Sequence, residues 1–146
     1  MSLRFRIPLL AAATTLALVG AAGPASATDL ACTLDLDTGT LTCGSEPSPL
    51  ASTYLLATLY TGANYAGSSL ALKASTPCDT SSDVDHSWAS LPAAFADEVS
   101  SFTGSNACQV KLFKDVSYGG ISVGPSSSSS YVGDAMNDQA SSVQLS

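Results

Sequence analysis

Two short stretches of the chain concentrate oxygen donors. FADEVSSF holds Asp97, Glu98, Ser100 and Ser101, and MNDQASSV holds Asn137, Asp138, Ser141 and Ser142. Carboxylate, carboxamide and hydroxyl oxygens gathered in a loop suit a hard cation such as Ca2+, which takes oxygen ligands in adaptable geometry. Other polar groups offer less. His86, near Asp83 and Asp85, could ligate a metal or act as a general base, but it is the single histidine of the chain and lies in a serine-rich stretch. A solvated loop histidine is the plainer reading. With one histidine and no G-x-S-x-G sequence, the many serines do not make a serine hydrolase.

Two acidic patterns near the N-terminus imitate known sites. Asp37-Thr38-Gly39 matches the aspartic peptidase triplet, whose chemistry needs two carboxylates sharing one proton in a larger or dimeric scaffold. Asp35-x-Asp37-x-Gly39 with Glu46 imitates an EF-hand loop, but the glycine comes one place early and no helices flank it. CTLDLDTGTLTC (32–43) alternates Thr and Leu on either side of Asp37-Thr38, which is the pattern of a β-hairpin. In that hairpin the acidic residues form the turn. Folding it back sets Cys32 opposite Cys43, within reach of a disulfide.

The chain has 146 residues and a formal net charge of -7. Arg4 and Arg6 precede an apolar run from Ile7 to Ala22, and Ala25-Ser26-Ala27 fits a small-x-small cleavage rule. Residues 1–27 therefore read as a secretory signal peptide cleaved after Ala27, and the protein is expected outside the cell. A membrane anchor is the rival reading, but the run is short and contains Pro8 and Gly20. Beyond Ala27 only Lys73, Lys111 and Lys114 stand against 12 acidic residues. That balance excludes a nucleic-acid partner and adhesion to an anionic membrane, both of which need a positive face. Four cysteines, Cys32, Cys43, Cys78 and Cys108, imply two disulfides in an exported chain, with three pairings possible. No CxxC spacing points to zinc.

Residues 44–52 carry Pro47 and Pro49 and read as a linker. From Thr53 onward the sequence is strand-like: TYLLATLY, SLALK, EVSSF, CQVKLF, GISV and SSVQLS alternate apolar residues and are separated by Gly, Ser, Asp and Pro. WASLPAAFAD (88–97) has room for a single helical turn. Short strands with regular turn signals predict an all-β sandwich.

The organisation contains a repeat. Tyr60-x4-Tyr65-x-Gly67 recurs as Phe113-x4-Tyr118-x-Gly120, with Leu59 and Leu112 leading each. An oxygen-rich loop follows each copy. In the hairpin the second aromatic folds onto the first, and the glycine allows a backbone conformation closed to other residues. These four aromatics read as fold determinants ahead of a carbohydrate platform.

Both motifs together resemble the βγ-crystallin superfamily, whose Greek keys each carry an aromatic-x4-aromatic-x-Gly hairpin and an N/D-N/D-x-x-S/T-S calcium loop. The resemblance covers about residues 53–146. It implies an all-β fold, two Greek-key motifs forming one sandwich, preceded by a disulfide-closed β-hairpin in 28–52. It also implies Ca2+ held between the loops: Asp97, Ser100, Asn137, Asp138 and Ser141 through side chains, Glu98 and Gln139 through backbone carbonyls, and Ala63 and Val116 as the hairpin carbonyls. Asn137 to Ser142 match the loop pattern fully. Ala96 stands where Asn or Asp belongs, which implies one sound site and one weakened site. The first key is longer than the second, and the excess falls in 71–92, a loop containing Cys78. A Cys78–Cys108 bridge would tie that loop to the next key, leaving Cys32–Cys43 for the hairpin.

The expected function is an exported, non-enzymatic calcium-binding protein, expected as a monomer. Secreted metalloproteinase inhibitors and killer toxins of the same fold supply the alternative, with the 74–92 loop as the inhibitory element. A cell-wall polysaccharide is a third possible partner, and Trp88 reads equally as a core residue or an exposed anchor.

Overall fold

The computed structural model describes residues 28–44 and 54–146. The expected signal peptide, and residues 45–52 of the expected linker, lie outside the described residues. The elements in chain order are β1 (Ala31–Asp35), β2 (Leu41–Cys43), β3 (Tyr54–Gly62), β4 (Ala66–Ala74), β5 (His86–Trp88), β6 (Ser101–Gly104), β7 (Val110–Phe113), β8 (Ser122–Ser126), β9 (Ser128–Ser129) and β10 (Ser142–Leu145). Among the described residues no helix is long and apolar enough to cross a membrane.

The strands form two sheets, in the orders β2-β1-β4-β3-β6-β9 and β5-β10-β7-β8. β3, β4 and β6 of the first key lie in the first sheet, and its third strand, β5, lies in the second. The second key mirrors this: β7, β8 and β10 form most of the second sheet, while β9 pairs with β6 in the first. Each key thus lends one strand to the other's sheet.

Alternation along the strands builds the core between the sheets. Leu70, Leu72 and Ala74 of β4 are buried, as are Val110 and Leu112 of β7 and Val143 and Leu145 of β10. On β3 both Leu56 and Ala57 are buried, because a register shift between Leu55 and Ala57 breaks the strict two-residue period. Phe95, Val99 and Phe102 complete the centre.

The N-terminal hairpin forms as its sequence symmetry predicts, with Cys32 paired opposite Cys43 and bridged to it. It also extends the first sheet, since β1 runs parallel to β4 with Leu34 beside Leu72. The acidic residues serve the turn. The Asp35 carboxylate accepts the Asp37 and Thr38 amides at 3.0 and 3.2 Å, and Asp37 accepts the Ser75 amide at 2.7 Å. Cys78–Cys108 is the second disulfide.

Two segments differ from their sequence reading. Part of the 71–92 segment forms the edge strand β5, so His86 is no solvated loop residue: its Nε2 is buried and has no hydrogen-bond partner. The serine run 126–130 includes β9 in place of a simple turn. WASLPAAFAD does contain one turn, with the Phe95 and Ala96 amides bonded to the Pro92 carbonyl at 2.8 and 2.9 Å.

Candidate metal centre

The two aromatic hairpins are near copies. Tyr60 and Tyr65 pack edge-to-face at 5.8 Å with an interplanar angle of 71°, and Phe113 and Tyr118 do so at 5.8 Å and 70°. A short 3-10 turn lies between the partners in each case, at Ala63–Tyr65 and Val116–Tyr118. Its left-handed residues are Asn64 and Tyr65 in one copy and Ser117 and Tyr118 in the other. Gly67 follows at φ +78° and Gly120 at φ +73°, and a Cβ there would meet Thr61 Oγ1 at 2.6 Å or Asp115 Oδ2 at 2.7 Å. Only glycine fits this hairpin end.

The last serine of each oxygen-rich loop staples its own hairpin. Ser101 Oγ donates to the Gly62 carbonyl at 2.6 Å and accepts the Tyr65 amide at 3.0 Å. Ser142 Oγ donates to the Asp115 carbonyl at 2.6 Å and accepts the Tyr118 amide at 3.0 Å. Both serines are fully buried, which matches their saturated bonding.

The loops themselves are joined crosswise. The Asp97 amide donates to the Ala140 carbonyl at 2.9 Å, and the Asp138 amide donates to the Val99 carbonyl at 3.3 Å. Both aspartates take left-handed backbone angles, φ 59° and 55°, which short polar side chains tolerate. That turn presents each carboxylate to the opposite loop's serine. Ser141 Oγ donates to Asp97 Oδ1 at 2.9 Å, and Ser100 Oγ lies 3.2 Å from Asp138 Oδ1 and 3.0 Å from the Thr61 carbonyl. The result is two oxygen clusters related by an approximate twofold, each combining a carboxylate from one key with a hydroxyl from the other.

The remaining expected residues fall around these pairs. Asn137 Nδ2 donates to Asp138 Oδ2 at 2.8 Å, and Gln139 Nε2 donates to the Asp138 carbonyl at 2.7 Å. Glu98 is exposed beside Asp97. Ala63 and Val116 open the two 3-10 turns, and the Val116 carbonyl accepts the Gly119 amide at 3.4 Å. The hairpin carbonyl seated against Ser100 is that of Thr61, a residue the motif spacing did not single out. Thr61 directly follows the leading Tyr60, and sheet pairing of Tyr60 with Ser101 brings it there.

Chemically, both clusters are all-oxygen. Among the described residues no three His, Cys, Asp or Glu side chains gather as a metal site. What the clusters offer is one aspartate carboxylate each with a hydroxyl from the opposite loop, and at Ser100 the Thr61 carbonyl as well. That set fits a hard cation taking roughly 6–8 oxygens, water included, and suits softer metals poorly.

The fold is a sandwich of two Greek keys exchanging strands, each with its aromatic corner and serine staple, the architecture that the resemblance to βγ-crystallins implies. Residues 59–125 match the model of peptidase inhibitor family I36. A doubly substituted βγ-crystallin domain from Clostridium beijerinckii is similar at 20% identity, over 63% of this chain and 97% of that one, with a TM-score of 0.48. A βγ-crystallin domain from Flavobacterium johnsoniae is similar at 23% identity, over 62% and 93%, with a TM-score of 0.46. No curated protein matches the chain.

Proposed function

We propose that this is an exported, non-enzymatic βγ-crystallin-like protein whose two loops clamp Ca2+. The observation that carries the reading is the reciprocal pairing of Ser141 with Asp97 and of Ser100 with Asp138. An ion at either cluster takes oxygens from both keys at once, so it acts as a bridge between the halves of the sandwich. Asp97, Asp138, Ser100 and Ser141 supply side-chain oxygens, with Asn137 beside Asp138 and carbonyls from Glu98, Gln139 and the hairpins at Ala63 and Val116. Two disulfides fit the oxidising compartment this reading requires.

A ligand that binds only the folded state stabilises it by RT ln(1 + [L]/Kd), or roughly 1.4–2.7 kcal/mol at ten to a hundred times Kd. The test is thermal unfolding in millimolar calcium and in chelator. A higher midpoint with calcium, reversed by chelator, supports the clamp, and identical curves refute it.

A second reading is favoured by the family match over 59–125: the protein inhibits a secreted peptidase, with metallopeptidases first in line. Residues 75–85 would make the contact. They are anchored by the Cys78–Cys108 bridge and braced by the Asp79 amide on Asp85 Oδ2 at 3.2 Å. Assays against purified secreted metallopeptidases test it. Inhibition that survives Asp138→Ala and disappears on shortening 79–85 supports this reading; no inhibition of any peptidase sinks it. The two readings are compatible, since a calcium-braced scaffold could present the loop.

A further inference from the structure

We propose that a cleft beside β5 binds one ring of a neutral saccharide. Ser87, Trp88, Ala89, Ser90 and Tyr118 line an open cleft of about 410 Å³, within the usual range of small-ligand sites. None of these side chains is charged. The chain as a whole is acidic, at a net charge of -7, so anionic glycans are repelled while neutral ones are not. The lining joins two aromatic residues to two serines. A pyranose needs that combination, because its C–H face is apolar and its rim both donates and accepts hydrogen bonds.

The cleft is also held in place before any ligand arrives. Trp88 is half-buried and packed on the core, and the hairpin tip abuts its indole, where a Cβ on Gly39 would come within 3.1 Å. Tyr118 is pinned through its amide to Ser142 Oγ and through its ring to Phe113. The wall between them is tied at both ends: the Ser117 amide donates to the Ala89 carbonyl at 2.7 Å, and the Leu91 amide to the Ser141 carbonyl at 2.8 Å. Rigid aromatic surface lowers the entropy cost of binding. This inference does not depend on calcium occupancy or on peptidase inhibition.

Trp88 is the only tryptophan, so all tryptophan emission comes from the wall of the cleft. The test titrates the full, disulfide-bonded chain with soluble oligomers of glucose, mannose and N-acetylglucosamine. A saturable change in emission is expected with at least one of them. Ser90→Arg, at an exposed position, charges the cleft without touching the core and should weaken that binding about tenfold or more. Trp88→Ala, followed by calorimetry, should do the same. An unchanged affinity in Ser90→Arg overturns the proposal. So does the absence of any saturable signal while acrylamide still quenches Trp88, or a response confined to anionic glycans or to peptides.

Discussion

Ser141 Oγ donates a 2.9 Å hydrogen bond to Asp97 Oδ1 across 44 residues of sequence. The bond has a counterpart in the other direction, where Ser100 reaches Asp138 at 3.2 Å. Neither loop completes its cluster alone. Whatever occupies the clusters therefore acts on the joint between the two Greek keys, and the first predictions concern that joint.

Asp138→Ala removes the carboxylate of the cluster that also holds Ser100 and the Thr61 carbonyl. Calorimetric titration with Ca2+ should lose at least one equivalent. The calcium-induced rise in melting midpoint should shrink by about 4–8 °C for each kcal/mol of ligand stabilisation removed. In chelator the variant should melt lower than the wild type, since it loses a half-buried carboxylate–hydroxyl bond and sets alanine at φ 55°, together about 1–3 kcal/mol.

Ala96 occupies the place that Asn137 holds in the second loop, one residue before the left-handed aspartate. Ala96→Asp should strengthen calcium binding roughly several-fold by adding a ligand charge. Equilibrium dialysis checks it. Weaker binding would mean that this position faces away from the ion.

The motif glycines set the hairpin ends. Gly67→Ala puts a Cβ 2.6 Å from Thr61 Oγ1 at φ +78°. It should cost about 1–3 kcal/mol in urea unfolding, with Gly120→Ala similar. A neutral result at either position would show that the hairpin relaxes more readily than its packing implies.

The two disulfides close loops of different length, with sequence separations of 11 and 30. Chain-entropy reasoning gives each bridge roughly 2–4 kcal/mol and favours the longer loop by about 1 kcal/mol. Replacing Cys78 and Cys108 together with serine should therefore destabilise more than replacing Cys32 and Cys43, as read by urea midpoints.

Tyr131 donates to Asp134 Oδ1 at 2.6 Å. That bond, with slight desolvation and the negative charges of Asp134 and Asp138, raises its phenol above the ordinary 10.0. A raised value in the folded state means that the associated stability is present at neutral pH and lost as pH climbs from about 10 through the folded value. Near-ultraviolet titration should show one late-ionising tyrosine, which Asp134→Ala returns toward 10.0. No change in Asp134→Ala would remove the hydrogen bond as the cause.

The strands and hairpins were readable in the order of residues because their determinants are local. Alternating Leu and Ala on β4 place one face inward, and aromatic-x4-aromatic-x-Gly specifies a turn whose parts all lie within a few residues. The Thr-Leu symmetry of 32–43 aligned Cys32 with Cys43 for the same reason. His86 and the serine run were misread because β5 and β9 have almost no pattern of their own. They become strands only where β10 and β6 offer open edges. The Thr61 carbonyl escaped notice because a backbone oxygen has no residue type to betray it.

By itself, the amino-acid order determined the repeated hairpins, the oxygen-rich loops, the acidic surface and the cysteine hairpin, all short-range properties of side-chain type and spacing. Only the tertiary structure decided that each aspartate faces the other key's serine, that each key lends a strand across the sandwich, and that Trp88 and Tyr118 share one cleft. These relations join residues far apart in the chain. Burying both sheet faces at once selects them, and that condition belongs to the whole fold and to no single segment.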